Sequence, residues 1–264
     1  MPRRKTLITA VFGAIFIIVL LLAGFIRQQY VIPILMYHLV NSNASPDDKL
    51  TVSVDIFERQ MRFLKDHRYN VVSLEEAASL IRDKKKVPPK TIALTFDDGY
   101  KDNYTHAFPI LKKYNLPATI FVIINEMDRP QNDRLSWDEI KTMRDSGIIT
   151  FGSHTLTHPY LIKVDSEPEL RRQIFDSKKI LEEKLGIPVN AFSYPAGGFN
   201  SHVRQLVVEA GYKLAVASNP GKKFSNKDIF VLKRLRISSN AGNLLVFWIE
   251  TSGYYNFIRE LKHK

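Results

Sequence analysis

The chain of 264 residues contains no cysteine, and that absence excludes several kinds of chemistry. Disulfide bonds, thiolate metal sites, a cysteine nucleophile and a lipidated cysteine anchor are all ruled out. We also find no internal repeat and no low-complexity segment, so neither a solenoid nor a disordered chain is expected. The sequence is 45% hydrophobic with a formal charge of +11, and its length allows one sizeable domain with a complete core.

An uninterrupted apolar run, Leu7 to Ile26, lies near the amino terminus, with three basic residues before it and one after it. It has about the length that spans a bilayer. The charge asymmetry places residues 1–6 in the cytoplasm, so we predict a single transmembrane anchor at 7–26 and an extracytoplasmic domain at 27–264 in the cell membrane. A cleaved signal peptide, with a weak cleavage site at Ala23-Gly24, is the alternative.

The basic excess is conspicuous in Lys84 to Lys86 and in Lys222-Lys223. Such a surface could attract anionic lipid headgroups or acidic wall polymers. A solvated surface with no partner is an equally good interpretation. Nucleic acid is not expected as a partner outside the membrane.

An apolar run from Thr91 to Phe96 predicts a buried strand, and it ends in Asp97 and Asp98. Two carboxylates would be costly in an apolar interior and therefore belong at the carboxyl end of the strand. Adjacent carboxylates repel and separate in pKa, which suits them to different tasks, such as holding a metal and moving a proton. An ordinary Asp-Asp-Gly turn is the alternative.

A second apolar run ends in two histidines four residues apart, His154 and His158. With one carboxylate of the Asp97-Asp98 pair they form a set of two histidines and one carboxylate. That set leaves positions open for water and substrate, as in a catalytic zinc site or a similar divalent site. A histidine pair by itself would more often be a surface or core feature.

Strand and helix patterns alternate along the rest of the chain, including a charged helix from about Glu169 to Leu185 and a strand from Val231 to Ile237. This order predicts an α/β fold, a distorted (β/α) barrel of seven or eight parallel strands with its site at the strand carboxyl ends. Another strand, Val31 to Tyr37, ends at His38. His38 could therefore enter the same site.

These motifs resemble the polysaccharide deacetylases that carry the NodB homology domain, which share a T-F-D-D-G strand end and an H-[ST]-x-x-H segment. The resemblance covers about Ile34 to Ile237. It implies metal-assisted hydrolysis of N-acetyl groups on N-acetylglucosamine residues of a polysaccharide. Asp98, His154 and His158 would hold a divalent cation, with zinc as the first choice, and Asp97 would act as the base.

A third family motif, often R-P-P-Y-G, corresponds to Ser193 through Gly197. By the resemblance, the Ala196 N–H would help to bind the oxyanion, and Tyr194 and Pro195 would border the oxyanion and substrate site. Ser193 stands where the family has an arginine that is held against the catalytic carboxylate. A replacement must come from elsewhere in the chain, and Arg234 and Arg236 are the candidates.

Many members of the family carry a late histidine as the acid, but His202 falls on a predicted helix and His263 in the tail. Residues 33–38, which end in His38, instead resemble the branch that deacetylates exported poly-N-acetylglucosamine, so we predict His38 as the acid and that polymer as the favoured substrate. Deacetylation of peptidoglycan N-acetylglucosamine is the alternative reaction. A membrane-tethered glycan-binding pseudoenzyme is the alternative class, because of the missing arginine.

Several aromatic residues follow or adjoin the site motifs, namely Tyr100, Trp137, Tyr160 and Phe199. Aromatic rings at such positions can stack on sugar rings. They are equally well explained as core or rim residues.

Overall fold

Apolar runs form the strands and amphipathic runs form the helices, as the patterns predict. The computed structural model describes residues 12, 16–21, 24, 30–42, 48–129, 133–218, 228–238 and 242–255. The strands are β1 (Ile34–Tyr37), β2 (Leu39–Val40), β3 (Thr51–Val52), β4 (Asn70–Val72), β5 (Thr91–Phe96), β6 (Ala118–Val122), β7 (Ile149–Ser153), β8 (Ala191–Ser193), β9 (Leu214–Ala217), β10 (Leu232–Lys233) and β11 (Leu235–Arg236). The helices are α1 (Val54–Asp66), α2 (Leu74–Arg82), α3 (Phe108–Tyr114), α4 (Trp137–Asp145), α5 (Glu167–Arg171), α6 (Ser177–Leu185), α7 (Ser201–Glu209) and α8 (Leu244–Glu250).

The strands form one parallel sheet in the order β10-β9-β8-β7-β6-β5-β1-β11, with β4 paired to the first half of β5. β2 and β3 form a separate parallel pair. The predicted α/β class is confirmed, and so is the parallel barrel. Because the strands run the same way, their carboxyl ends meet at one end of the barrel.

The barrel nearly closes through one short stretch of chain. Leu232 and Lys233 pair with β9, whereas Leu235 and Arg236 pair with β1. The predicted continuous strand from Val231 to Ile237 is therefore divided at Arg234, because its two halves must bond to strands on opposite sides. This division places Arg234 at the seam.

Side chains that face the barrel interior form two layers. The layer nearer the amino ends is apolar and includes Ile34, Ala93, Phe121, Ala191, Val216 and Leu232. Two residues further along three of these strands lie Thr95, Ser193 and Arg234, which hydrogen bonds join to one another. Since side chains alternate along a strand, the same inward face changes from apolar to polar as the carboxyl ends are approached.

Two helix predictions can be compared in detail. The capping box at α4 is present, since the Ser136 hydroxyl accepts from the Glu139 N–H and the Glu139 carboxylate accepts from the Ser136 N–H. The helix predicted from about Glu169 to Leu185 is confirmed, with one irregularity inside it. It is α5 and α6 joined by a π-helical turn at Arg172–Asp176, which brings Gln173 against the backbone N–H groups of Leu156 and Thr157.

Within the described part of the chain, no helix has the length and apolar character needed to cross a bilayer. The predicted anchor, Leu7 to Ile26, lies for the most part outside the described residues. Its described members Phe16 to Leu21 are helical and exposed. The anchor and the bounds 1–6, 7–26 and 27–264 stay predictions.

Candidate active site

Asp97 and Asp98 lie at the carboxyl end of β5, where the chain turns. The Asp97 N–H donates to Tyr37 O at 3.0 Å, which continues the pairing with β1 by one residue. Asp98 and Gly99 then take left-handed backbone conformations, with φ of 70° and 64°. Asp tolerates this region better than most residues. Because the chain turns between them, the two carboxylates meet different partners.

Asp97 is held by Arg234 from the barrel seam. Arg234 Nη1 donates to Asp97 Oδ1 at 2.7 Å and Nη2 donates to Oδ2 at 2.6 Å, a two-pronged pairing that suits a guanidinium. Nη2 also donates to Ser193 Oγ at 2.9 Å. Of the two arginines that the sequence left open, Arg234 is therefore the one on the carboxylate, whereas Arg236 is exposed.

Both members of the ion pair are buried, Asp97 with 2% and Arg234 with 1% of its surface exposed. Burial by itself would raise the pKa of Asp97. Burial is the largest single influence, but the charge of Arg234, its hydrogen bonds and the nearby histidines together outweigh it and hold the pKa well below its usual range. Asp97 is therefore ionised at neutral pH.

Asp98 faces the two histidines. Its Oδ1 lies 3.5 Å from His154 Nε2 and 3.7 Å from His158 Nε2, and one ligand atom from each of the three residues lies within 4.8 Å of the others. Two imidazole nitrogens and one carboxylate oxygen are donors that zinc and similar cations accept. The three residues therefore fit a divalent cation.

The surroundings of His154 support the same conclusion. Its Nδ1–H donates to Ser193 O at 2.8 Å, which directs the Nε2 lone pair toward Asp98. Burial is the main influence on the pKa of His154 and lowers it. A neutral ring with a free Nε2 lone pair is the form that binds a metal.

His38 lies beside these groups but outside the set of three ligands. It is 9% exposed, and its Nδ1 has no hydrogen-bond partner among the described residues. Burial lowers the pKa of His38, and the charges of Asp97 and Asp98 oppose that effect. The charges of both carboxylates therefore reach His38, which directly follows β1.

Two residues that the sequence reasoning missed hold the segment that carries His38. Asn103 Nδ2 donates to His38 O at 2.8 Å and to Asp102 Oδ1 at 3.0 Å. Asp102 Oδ2 accepts from the Val40 N–H at 3.0 Å. Both lie shortly after Asp98, where Asp102 is the N-cap residue of a π-helical turn that begins at Asn103, so their nearness in sequence to the Asp pair was the available signal.

The residues of the third motif differ in how deeply they are buried. Tyr194 is fully buried and its hydroxyl donates to Phe230 O at 3.0 Å, so its side chain belongs to the core and does not face a substrate. Pro195 is also buried, whereas Ala196 is exposed with a left-handed φ of 51°. Of the three residues, Ala196 is therefore the one whose backbone lies at the surface.

A cleft of about 360 Å³ opens beside the three candidate ligands. Its lining residues are Asp98, Tyr100, Ile123, Glu126, Arg134, Thr157 and His158. The Arg134 guanidinium lies 3.7 Å from the centre of the Tyr100 ring. The structure thus places Tyr100 at the site with its ring covered by an arginine.

The other aromatic candidates lie elsewhere or at the rim. Phe199 stacks on buried Tyr194 at 4.8 Å, and Tyr160 is 41% exposed and packs against Gly198. Trp137 is half-buried under Lys184. These contacts give each ring a packing role.

Of the two late histidines, the structure describes only His202. His202 Nε2 lies 2.7 Å from Glu167 Oε2 on the outer helices, and His263 lies outside the described residues. His202 therefore does not compete with His38 for the role of acid.

Comparison with known proteins gives this site a family. The family model for polysaccharide deacetylases matches residues 84–215. The chain is also 33% identical over 221 residues to YxkH of Bacillus subtilis, covering 83% of this chain and 76% of that protein. The chain belongs to the polysaccharide deacetylase family. The resemblance predicted from the motifs is confirmed, and the protein is an enzyme of a family that acts on amide bonds of polysaccharides.

Other relatives show how far the likeness extends. A Staphylococcus aureus protein named poly-beta-1,6-N-acetyl-D-glucosamine N-deacetylase is 29% identical over 206 residues, which cover 74% of this chain and 71% of that protein. The structure of the Streptococcus pyogenes deacetylase PplD in complex with acetate is 33% identical, with a TM-score of 0.72 over 82% of this chain and 97% of that one. IcaB from Ammonifex degensii, at 24% identity and a TM-score of 0.71 over 85% of this chain and 97% of that one, shares the fold.

Proposed function

We propose that this enzyme removes N-acetyl groups from N-acetylglucosamine residues of an exported or cell-wall polysaccharide, with poly-N-acetylglucosamine as the favoured substrate. One observation carries the proposal. An arginine-paired carboxylate, a set of metal-binding residues and a buried histidine converge at the carboxyl end of the barrel. The name of the Staphylococcus aureus relative supports the choice of polymer.

A divalent cation, with zinc as the first choice, would be held by Asp98, His154 and His158. Their mutual distances and the Ser193 carbonyl on His154 support this assignment. When bound, such a cation polarises an acetyl carbonyl and eases deprotonation of the attacking water.

Asp97 is the proposed general base. It is ionised, and Arg234 fixes both of its oxygens. As the water oxygen bonds to the acetyl carbon, Asp97 accepts the proton that the water loses. Arg234 and Ser193 position this base and take over the task of the family arginine.

His38 is the proposed general acid. An amine leaves poorly unless its nitrogen is protonated, so breaking the C–N bond requires a proton donor. A histidine whose pKa is lowered by burial gives up its proton readily once it has one. The products are acetate and a glucosamine residue.

The Ala196 N–H is proposed to donate to the oxyanion that forms on the acetyl oxygen. A backbone donor serves this purpose whatever the side chain, which permits alanine where the family has tyrosine. The left-handed, exposed Ala196 is compatible with that role.

We also propose that residues 7–26 anchor the enzyme in the cell membrane with its domain outside. The support is the length of the apolar run and the basic residues that precede it. A mature amino terminus near residue 27 would show instead that the segment is a cleaved signal peptide.

The test is acetate release from poly-N-acetylglucosamine, chitin oligomers and peptidoglycan by the full chain in detergent, with Asp97→Asn as the matched inactive control. We expect the fastest release from poly-N-acetylglucosamine. Fastest release from peptidoglycan would favour the alternative substrate. No release from any of the three, by protein that binds both metal and glycan, would favour a glycan-binding protein.

A further inference from the structure

The short helix α8 presents apolar side chains to solvent. Leu245 is 62% and Trp248 51% exposed, and Val246 and Ile249 are exposed as well, whereas Phe247 is buried. Elsewhere in the described part of the domain, the exposed large apolar side chains are Leu50, Ile187 and the pair Tyr160 and Ile162, so no other element carries four of them. Scattered apolar residues are ordinary, but a group of them on one helix indicates a contact surface.

The end of α8 lies at the amino end of the barrel, opposite the active site. Phe247 packs against Phe63 of α1 at 5.9 Å, so α8 lies beside that helix. Beyond α8, Gly253 O accepts from the Val31 N–H at 3.0 Å. Tyr254 meets Tyr30 edge to face at 5.6 Å, just before the chain enters β1.

The same end of the barrel is strongly basic. From Arg82 to Lys90, the connection into β5 carries five basic residues and one carboxylate, Asp83, which pairs with Arg82 and Lys85. This connection, Tyr30 and the residues after α8 line a shared cleft of about 700 Å³. The amino end therefore combines positive charge, tyrosines and a neighbouring apolar helix.

The position at which the chain enters the domain indicates what covers this surface. The apolar run from Leu7 to Ile26 ends a few residues before Tyr30, so whatever holds that run lies close to the amino end of the barrel. Tryptophan and tyrosine favour the membrane interface, and lysines favour anionic headgroups. Tyr254 and two lysines line the cleft beside Tyr30, and Trp248 lies on α8, a few residues before Tyr254.

We infer that α8, residues 82–90 and Tyr30 form a docking face that rests on an anionic lipid bilayer. The exposed side chains of α8 enter the interface between headgroups and acyl chains, and the lysines of residues 82–90 contact headgroup phosphates. The active site, at the other end of the barrel, then opens away from the bilayer. The inference goes beyond the proposed reaction and requires no catalysis.

The test uses the fluorescence of Trp248 in the full chain reconstituted into vesicles. Because the chain has two tryptophans, Trp137→Phe leaves Trp248 as the sole reporter. Brominated lipids should quench its emission roughly two-fold in vesicles that contain phosphatidylglycerol. Quenching should be weaker in vesicles of phosphatidylcholine alone, and also after Lys84, Lys85 and Lys86 are all changed to Gln.

The matched control places a tryptophan at the opposite end of the barrel. Ile162 follows β7 and is 41% exposed, so Ile162→Trp in a Trp137→Phe, Trp248→Phe background should show no quenching. Equal quenching at both positions, or none at Trp248 in vesicles that retain the protein, would overturn the docking face. Shielding of Trp248 by self-association of the protein in the absence of lipid would also overturn the docking face. If the protein released no acetate from any polysaccharide, the proposed reaction would be overturned, but the quenching result at Trp248 would be unaffected.

Discussion

Two carboxylates in different parts of the molecule, one buried and one half-buried, have pKa values shifted in opposite directions. Asp97, at the carboxyl end of β5, has both oxygens on Arg234, and its pKa lies well below the usual range. Glu250, the last residue of α8, has a buried Oε2 with no hydrogen-bond partner among the described residues, and burial raises its pKa to about 7. The same chemical group is thus kept charged at one place, whereas at the other it still titrates near neutral pH.

The difference shows that burial alone does not make a catalytic carboxylate. Desolvation acts on both residues in the same direction, toward the protonated form. Only at Asp97 does the fold bring a fixed cation within hydrogen-bond distance, and that cation restores the charge. Breaking such a buried pair from one side typically costs about 3–5 kcal/mol.

The largest effect on turnover is expected from the proposed metal ligands Asp98, His154 and His158, which lie beside Asp97. Chelation should abolish acetate release, and His154→Ala should lose metal as well as activity, because the site loses one of three ligands. Elemental analysis alongside acetate release checks this. The control is His202→Ala, which should retain both. Full activity in metal-free protein would exclude a metal-assisted reaction.

The next largest effect is expected from replacing Arg234, the cation that pairs with Asp97 and has no counterpart at Glu250. Arg234→Met should lower the free energy of unfolding by about 3–5 kcal/mol and reduce kcat strongly, because Asp97 is left buried and unpaired. Urea unfolding and acetate release measure the two effects. Arg236→Met, two residues away and exposed, is the matched control and should change little.

The pH dependence of stability should change sign in that variant. In the parent, the pKa of Asp97 is lower folded than unfolded, so the stability it contributes is present above the unfolded value near 3.8 and declines as pH falls below it. In Arg234→Met, the charge and the hydrogen bonds of Arg234 are gone and burial, the largest influence, raises the folded pKa, so stability should recover as pH falls toward 4. Parallel acid-side curves for parent and variant would contradict this account.

A smaller effect is expected at His38. His38→Ala should keep fold and metal while kcat falls by on the order of 10² to 10⁴, the usual range for a general acid. A substrate with an activated leaving group needs less protonation, so an aryl acetate ester should partly rescue this variant. The same ester should not rescue Asp97→Asn, which lacks the base. Near-normal turnover on the amide, or loss of metal, would assign the acid to another residue.

The smallest effect on turnover is expected from replacing Glu250. A folded pKa of about 7, above the ordinary 4.5, means that Glu250 contributes stability below pH 4.5 that is lost as pH rises through 7. Glu250→Gln should remove this loss and raise the unfolding free energy at pH 8 by on the order of 1 to 3 kcal/mol, with kcat unchanged. Urea unfolding at pH 5 and pH 8 checks it, and an equal change at both would refute the raised pKa.

Much of the site could be predicted because its residues stand next to local signals. Asp97 and Asp98 end a buried apolar run, and His154 and His158 follow another, so strand periodicity and the cost of burying charge were enough to place them at one end of the barrel. The Ser136 cap of α4 was predictable for the same reason. Each of these features depends on residues within a few positions of one another.

The choice between Arg234 and Arg236 could not be made in that way, because the two share one strand face and one chemistry. The position of each arginine along the barrel axis decides which of them pairs with Asp97. Those positions follow from the division of Leu232–Arg236 between β9 and β1. The π-helical turn that interrupts the helix predicted from about Glu169 to Leu185 was equally hidden. It accompanies a contact between Gln173 and the histidine loop that no local pattern encodes.

The sequence by itself determined the alternation of strands and helices, the strand ends that carry the carboxylates and histidines, and the family, since all of these depend on short-range patterns and motifs. The tertiary structure alone decided that Arg234 holds Asp97, that Asn103 holds the His38 segment, and that Tyr194 belongs to the core. Those partners are far apart in sequence or depend on burial. Barrel closure brings them together, because it fixes the register and height of every inward-facing side chain.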